Sequence, residues 1–139
     1  MSQVIPASGQ HLLLDMKGGS FDQLNDEEYL REAILRIIKR TKMHLLGIQS
    51  AKLDPQGVSV VAMLSESHLS IHTWPEHGSA LIDLFTCGDE ARLRAHVDYV
   101  VSQFGGDIKT STYSILPRGW FSEDSPAHHD TQVSSLIIL

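Results

Sequence analysis

Apolar residues change their spacing several times along this chain, and each change marks an element. Residues 10–17, with the run His11-Leu-Leu-Leu-Asp-Met, read as a strand. Leu30, Ala33, Ile34, Ile37 and Ile38 then recur at the 3.6-residue period of a helix that buries one face. Asn25 or Asp26 can cap that helix, and Glu27 and Glu28 suit the positive end of its dipole. Strands are predicted over 43–52 and 58–65, on either side of the turn-forming Asp54-Pro55-Gln56-Gly57, and over 68–73 and 80–86 around Pro75 and Gly78. Leu93, Val97, Val100, Val101 and Phe104 stripe a second helix over 89–104, Gly105-Gly106 ends it, and 108–116 supplies a last strand.

The order strand, helix, four strands, helix, strand predicts an α+β fold: a two-layer α/β sandwich with an antiparallel sheet and both helices on one face. Val58-Ser-Val-Val-Ala-Met-Leu is apolar on both sides, so the sheet face away from the helices is expected to be covered as well. No internal repeat is evident, and 1–139 reads as one domain. Residues 117–139 are rich in Pro, Ser, Asp and His until their apolar end and read as a mobile tail.

Composition narrows the function. A formal charge of −6 and a pI near 5.7 lack the basic footprint of a nucleic-acid binder. Cys87 is the single cysteine and cannot form an intrachain disulfide. No apolar run approaches the roughly 20 residues that span a bilayer, and the start of the chain lacks a basic-then-apolar signal pattern, so a cytoplasmic location without membrane contact is expected.

The richest chemistry lies in residues 65–76, Ser-Glu-Ser-His-Leu-Ser-Ile-His-Thr-Trp-Pro-Glu. A hydroxyl follows an acidic residue there, with an imidazole five positions beyond it. Ser67 can attack the carbonyl of Glu66 and exchange the peptide bond for an ester. A base such as His72 can then eliminate that ester to dehydroalanine, whose hydrolysis leaves a pyruvoyl group. The plainer reading of Glu66-Ser67 is an ordinary strand end. His68 and His72 share a strand face but sit about 13 Å apart at roughly 3.3 Å per residue, too far for one zinc, and no metal is expected. His128-His129 lies in the polar tail and reads as solvated.

From Gln10 to Gly119 the chain resembles the small bacterial and archaeal S-adenosylmethionine decarboxylases. His11-Leu-Leu-Leu-Asp, Leu24-Asn-Asp, Pro55-Gln-Gly-Val-Ser, the 65–76 core and Asp83-Leu-Phe-Thr-Cys-Gly carry the resemblance in order. It implies a proenzyme that cuts itself between Glu66 and Ser67 into residues 1–66 (the β chain) and 67–139 (the α chain), with Ser67 becoming a pyruvoyl group in place of pyridoxal phosphate. That group would hold the substrate as a Schiff base. His72 matches the proton acceptor of processing, Ser59 the serine that assists cleavage, Cys87 the proton donor of catalysis and Glu76 the acidic residue that contacts the substrate ribose. The implied substrate is S-adenosylmethionine, whose decarboxylated form donates aminopropyl groups to spermidine and other polyamines. The implied assembly is a homodimer of αβ protomers, or larger, with active sites near the contact between protomers.

Two substrate positions depart from that pattern. Leu53 stands where relatives have an aromatic residue able to stack on adenine, and Ser79 where they commonly have tyrosine or phenylalanine. Trp74, Phe85 or Trp120 can substitute. Loss of the stacking residue keeps open a second reading, a pyruvoyl decarboxylase of arginine or ornithine. A third is a non-catalytic partner subunit of the same fold; Ser59, Ser67, His72 and Cys87 retained together speak against it.

Overall fold

The computed structural model describes residues 8–65, 67–87 and 93–119. Along the chain lie β1 (Ser8–Met16), α1 (Phe21–Leu24), α2 (Glu27–Thr41), β2 (Leu45–Lys52), β3 (Val58–Leu64), β4 (His68–Trp74), a 3-10 turn (Pro75–His77), β5 (Ser79–Thr86), α3 (Val97–Gln103) and β6 (Thr112–Gly119). The six strands form one antiparallel sheet in the order β2-β3-β4-β5-β1-β6.

Alternation along the strands sorts the sheet into two faces. Leu12, Leu14, Val58, Val60, Ala62, Leu69, Ile71, Ile82 and Leu84 point to one side and form a single buried cluster with Leu30, Ala33, Ile34 and Ile37 of α2 and Val97, Val100 and Val101 of α3. This is the expected two-layer sandwich with both helices on one face. Removing one of these side chains, as in Ile34→Ala, would cost about 2–5 kcal/mol. The other face carries Val61, Met63, Trp74 and Leu81, all exposed in the protomer although the sequence anticipates a cover over them.

Several boundaries differ from the sequence expectation, each for a local reason. Asp26 is the cap of α2, its Oδ1 accepting from the Tyr29 N–H, while Asn25 turns away and accepts from the Gly57 N–H. The short helix α1 shows no apolar period and was not expected; the Ser20 hydroxyl caps it by accepting from the Gln23 N–H. The last strand spans 112–119 rather than 108–116, because Asp107 is hydrogen-bonded to the Lys17 carbonyl and residues 107–111 form a turn. Pro117, Arg118 and Gly119 therefore belong to the sheet, opposite Gln10, Gly9 and Ser8, and not to the tail. Residues 95–96 form a turn before α3, so the predicted helix over 89–104 is interrupted; its start at 89 and the chain from 120 onward lie outside the described residues. Among the described residues no helix is long and apolar enough to cross a membrane.

Candidate active site

The residues with candidate chemistry gather on the open sheet face and at its two ends. Ser59 of β3 pairs directly across the ladder with His72 of β4, and the Ser59 Oγ lies 2.8 Å from the His72 Nδ1. Next along the face comes Trp74, 41% exposed, and then the 3-10 turn that holds Glu76. Glu76 is tied to the neighbouring turn by a 3.1 Å hydrogen bond donated by the Gln56 amide. Leu53 opens that turn, 47% exposed, with its N–H donating to the Gly57 carbonyl. Gly78 closes the 3-10 turn at φ 61°, where a Cβ would meet the Gly19 carbonyl oxygen at 2.8 Å.

Buried Thr73 fixes this end of the sheet. Its hydroxyl donates to the Leu24 carbonyl at 2.7 Å and accepts from the Val58 N–H at 2.9 Å, joining α1, β3 and β4. Sequence reasoning passed over Thr73, which reads as an ordinary strand residue.

Ser67 sits at the other end, just before β4, where its carbonyl accepts from the Leu64 N–H and its Oγ lies 3.3 Å from the His68 Nδ1. Phe85 pairs with His68 across the β4–β5 ladder, so Cys87, two residues further on and partly buried, reaches the same end of the sheet as Ser67. Five residues of extended chain separate Ser67 from His72, a span of about 16 Å at roughly 3.3 Å per residue. One protomer thus brings Ser59, His72, Trp74, Glu76 and Leu53 together at one end and Ser67 with Cys87 at the other. Glu66 lies outside the described residues.

Beside Ser67 is a cluster that sequence reasoning did not join. The His11 and His68 rings stand 5.9 Å apart at 89°, and Phe85 contacts both, at 5.8 and 6.2 Å. Arg118, from the far end of the chain, lies over the Phe85 ring and approaches the His11 Nδ1 at 3.2 Å. A guanidinium only donates, so His11 Nδ1 accepts and its neutral ring carries the proton on Nε2. That Nε2 is buried without a hydrogen-bond partner, with the Asp83 carboxylate 3.9 Å away. Burial, more than any other cause, holds the His11 pKa below its ordinary value; Arg118 and His68 push the same way and Asp83 opposes them. The signal in the sequence was faint, since 107 positions separate Arg118 from His11. Among the described residues no group of three or more His, Cys, Asp or Glu side chains is arranged to hold a metal.

Comparison with known proteins matches residues 10–119 to the family model described as S-adenosylmethionine decarboxylase. The S-adenosylmethionine decarboxylase proenzyme of Brevibacillus brevis is 42% identical over 94 residues, covering 68% of this chain and 71% of that protein. The proenzyme of the same name from Aquifex aeolicus is 32% identical over 130 residues, 94% of this chain and 95% of that one. That of Pyrococcus horikoshii is 36% identical over 121 residues, 87% and 86% of the two chains. Among solved structures, the adenosylmethionine decarboxylase of Aquifex aeolicus superposes with a TM-score of 0.74 at 33% identity, over 86% of this chain and 97% of that one.

Proposed function

The chain belongs to the S-adenosylmethionine decarboxylase family, and from that premise we propose that it is a self-processing, pyruvoyl-dependent decarboxylase of S-adenosylmethionine. The product is the aminopropyl donor of polyamine synthesis. The observation that carries the reading is the Ser59–His72 pair, poised on the open face of the sheet that presents Ser67.

The residues present fit a pyruvoyl group at position 67. Ser67 has a hydroxyl beside an imidazole nitrogen, it follows an acidic residue, and it immediately precedes a strand that the sheet holds in place. Such a carbonyl supplies the electron sink that lets carbon dioxide leave an amino acid. The chain's own side chains do the rest. With the His72 Nδ1–H donated to Ser59, its Nε2 keeps the lone pair needed to remove the Ser67 Cα proton as the Glu66 carboxylate departs. Cys87 returns a proton to the substrate carbon after carbon dioxide is lost. Glu76 accepts hydrogen bonds from the ribose hydroxyls, while Leu53 and Trp74 give the adenosine an apolar wall.

A span of about 16 Å keeps His72 from the Ser67 of its own protomer, so the base comes from a second copy. The exposed Val61, Met63, Leu81 and Trp74 supply an apolar surface through which two open faces meet in a two-fold dimer, stacked at about 10 Å. Each site then joins Ser67 and Cys87 of one copy to Ser59, His72 and Glu76 of the other. Such a dimer would supply the cover that the apolar pattern of β3 leads one to expect.

Arginine and ornithine remain the alternative substrates by chemistry, but the relatives described above are S-adenosylmethionine decarboxylases and lend them no support. Purified protein incubated separately with carboxyl-labelled S-adenosylmethionine, arginine and ornithine should release labelled carbon dioxide from the first. Release from arginine or ornithine alone would replace the substrate assignment.

A further inference from the structure

Elimination by His72 needs an ester, which an earlier step must form. The attack of Ser67 on Glu66 requires a base at the Ser67 hydroxyl; the His72 of the same chain is about 16 Å distant along the strand, and that of the second copy is assigned to the Ser67 Cα proton. The imidazole that touches the reacting oxygen is a different one: His68 Nδ1 is 3.3 Å from the Ser67 Oγ. Its ring is held on several sides, by strand pairing to Met63 and Phe85 and by the rings of His11 and Phe85. Of the charged or titratable groups, His11 from β1 contacts this ring directly, and Arg118 from β6 and Asp83 from β5 act in turn on His11. A neutral His11, fixed by the Arg118 donor on its Nδ1, adds no positive charge next to the imidazolium that would form on His68.

We infer that His68 is the base of the first processing step and that His11, held by Arg118, positions it. This rests on the self-processing reading above. As the Ser67 Oγ bonds to the Glu66 carbonyl carbon, its proton passes to the His68 Nδ1. The peptide C–N bond then breaks, and His68 delivers that same proton to the departing Ser67 nitrogen. No oxidant, reductant or second reactant enters, and His68 ends as it began. Processing is thereby divided between two imidazoles: His68 makes the ester and His72 of the second copy consumes it.

Hydroxylamine separates the two roles because it cleaves esters and leaves peptides intact. His72→Ala should accumulate ester, so hydroxylamine should split the chain between residues 66 and 67. His68→Ala should stop earlier and stay whole in hydroxylamine, with processing slowed by about 10²–10⁴-fold, the usual worth of a general base. Added imidazole should accelerate the His68→Ala protein, which a purely structural loss would not allow. His68→Asn keeps an acceptor towards Ser67 without a basic nitrogen and should remain slow. Cleavage of His68→Ala by hydroxylamine as complete as that of His72→Ala would overturn the assignment, and so would His68→Asn processing at the parental rate. A parental chain that never yields the C-terminal fragment would overturn the self-processing reading and this step with it. A parental chain that processes no faster than His68→Ala would overturn this step alone.

Discussion

The Ser59 hydroxyl and the His72 imidazole meet at 2.8 Å across the β3–β4 ladder, each carried by the residue directly opposite the other. Strand pairing fixes that geometry, because a slip of one residue would send His72 into the helix-facing core. The pair should therefore behave as a unit. Ser59→Ala should slow processing by about tenfold, as the loss of one hydrogen bond worth roughly 0.5–1.5 kcal/mol implies. In a His72→Ala background the same change should have almost no further effect, and full additivity in a time course of chain cleavage would show that the two side chains act separately.

Cys87 should separate from both. It lies past β5, level with Ser67, and the role proposed for it is proton return to the substrate rather than formation or breaking of the ester. Cys87→Ala should process to the 66- and 73-residue chains (139 − 66 = 73) and then turn over poorly, with activity decaying as protons reach the wrong carbon. Progress curves read this directly; a variant as active and as durable as the parent would remove Cys87 from the mechanism.

Leu53 offers a gain rather than a loss. It is 47% exposed at the end of the sheet that holds Glu76, and a leucine there gives adenine no ring to stack on. Leu53→Phe should lower KM for S-adenosylmethionine by up to about tenfold, since a stacking pair adds roughly 0.5–1.5 kcal/mol beyond area burial. An unchanged KM would mean that the base lies elsewhere.

The helix α2 and the strands from β2 to β5 were legible because Leu30, Ile34, Ile37 and the alternating Val58, Val60 and Ala62 repeat at the period of their element. β6 was misjudged by a few residues: Ile108 is apolar, but it packs against the core from a turn before the strand begins. The chemistry of Ser67, His72, Ser59 and Cys87 was named from a motif, and a motif does not say that an extended strand holds Ser67 and His72 about 16 Å apart. Nor does it link His11 with Arg118, which only the β1–β6 pairing brings together.

That last pairing has a consequence for stability. The folded His11 binds its proton less readily than the unfolded side chain, whose pKa is near 6.5, chiefly because it is buried. The unfolded chain then holds more protons over the window below that value, so stability rises with pH. His11 should contribute fully above pH 6.5, and its contribution should fall away as the pH drops towards the lower folded value. Denaturant midpoints of the unprocessed Ser67→Ala protein should thus fall on going from about pH 8 to about pH 5.5, and fall less when His11→Gln is added. Equal falls in the two proteins would mean that His11 is not the group responsible.

The claim that each site is built from two copies is tested most directly by joining two inactive variants. Ser67→Ala lacks the nucleophile and His72→Ala lacks the base, so neither alone should release carbon dioxide from carboxyl-labelled S-adenosylmethionine. Co-expressed with different tags and purified through both, they should release it, because a mixed pair holds one site with an intact Ser67 facing an intact His72. A doubly tagged complex with no more activity than either variant alone would place both residues in the same protomer's site and contradict the account.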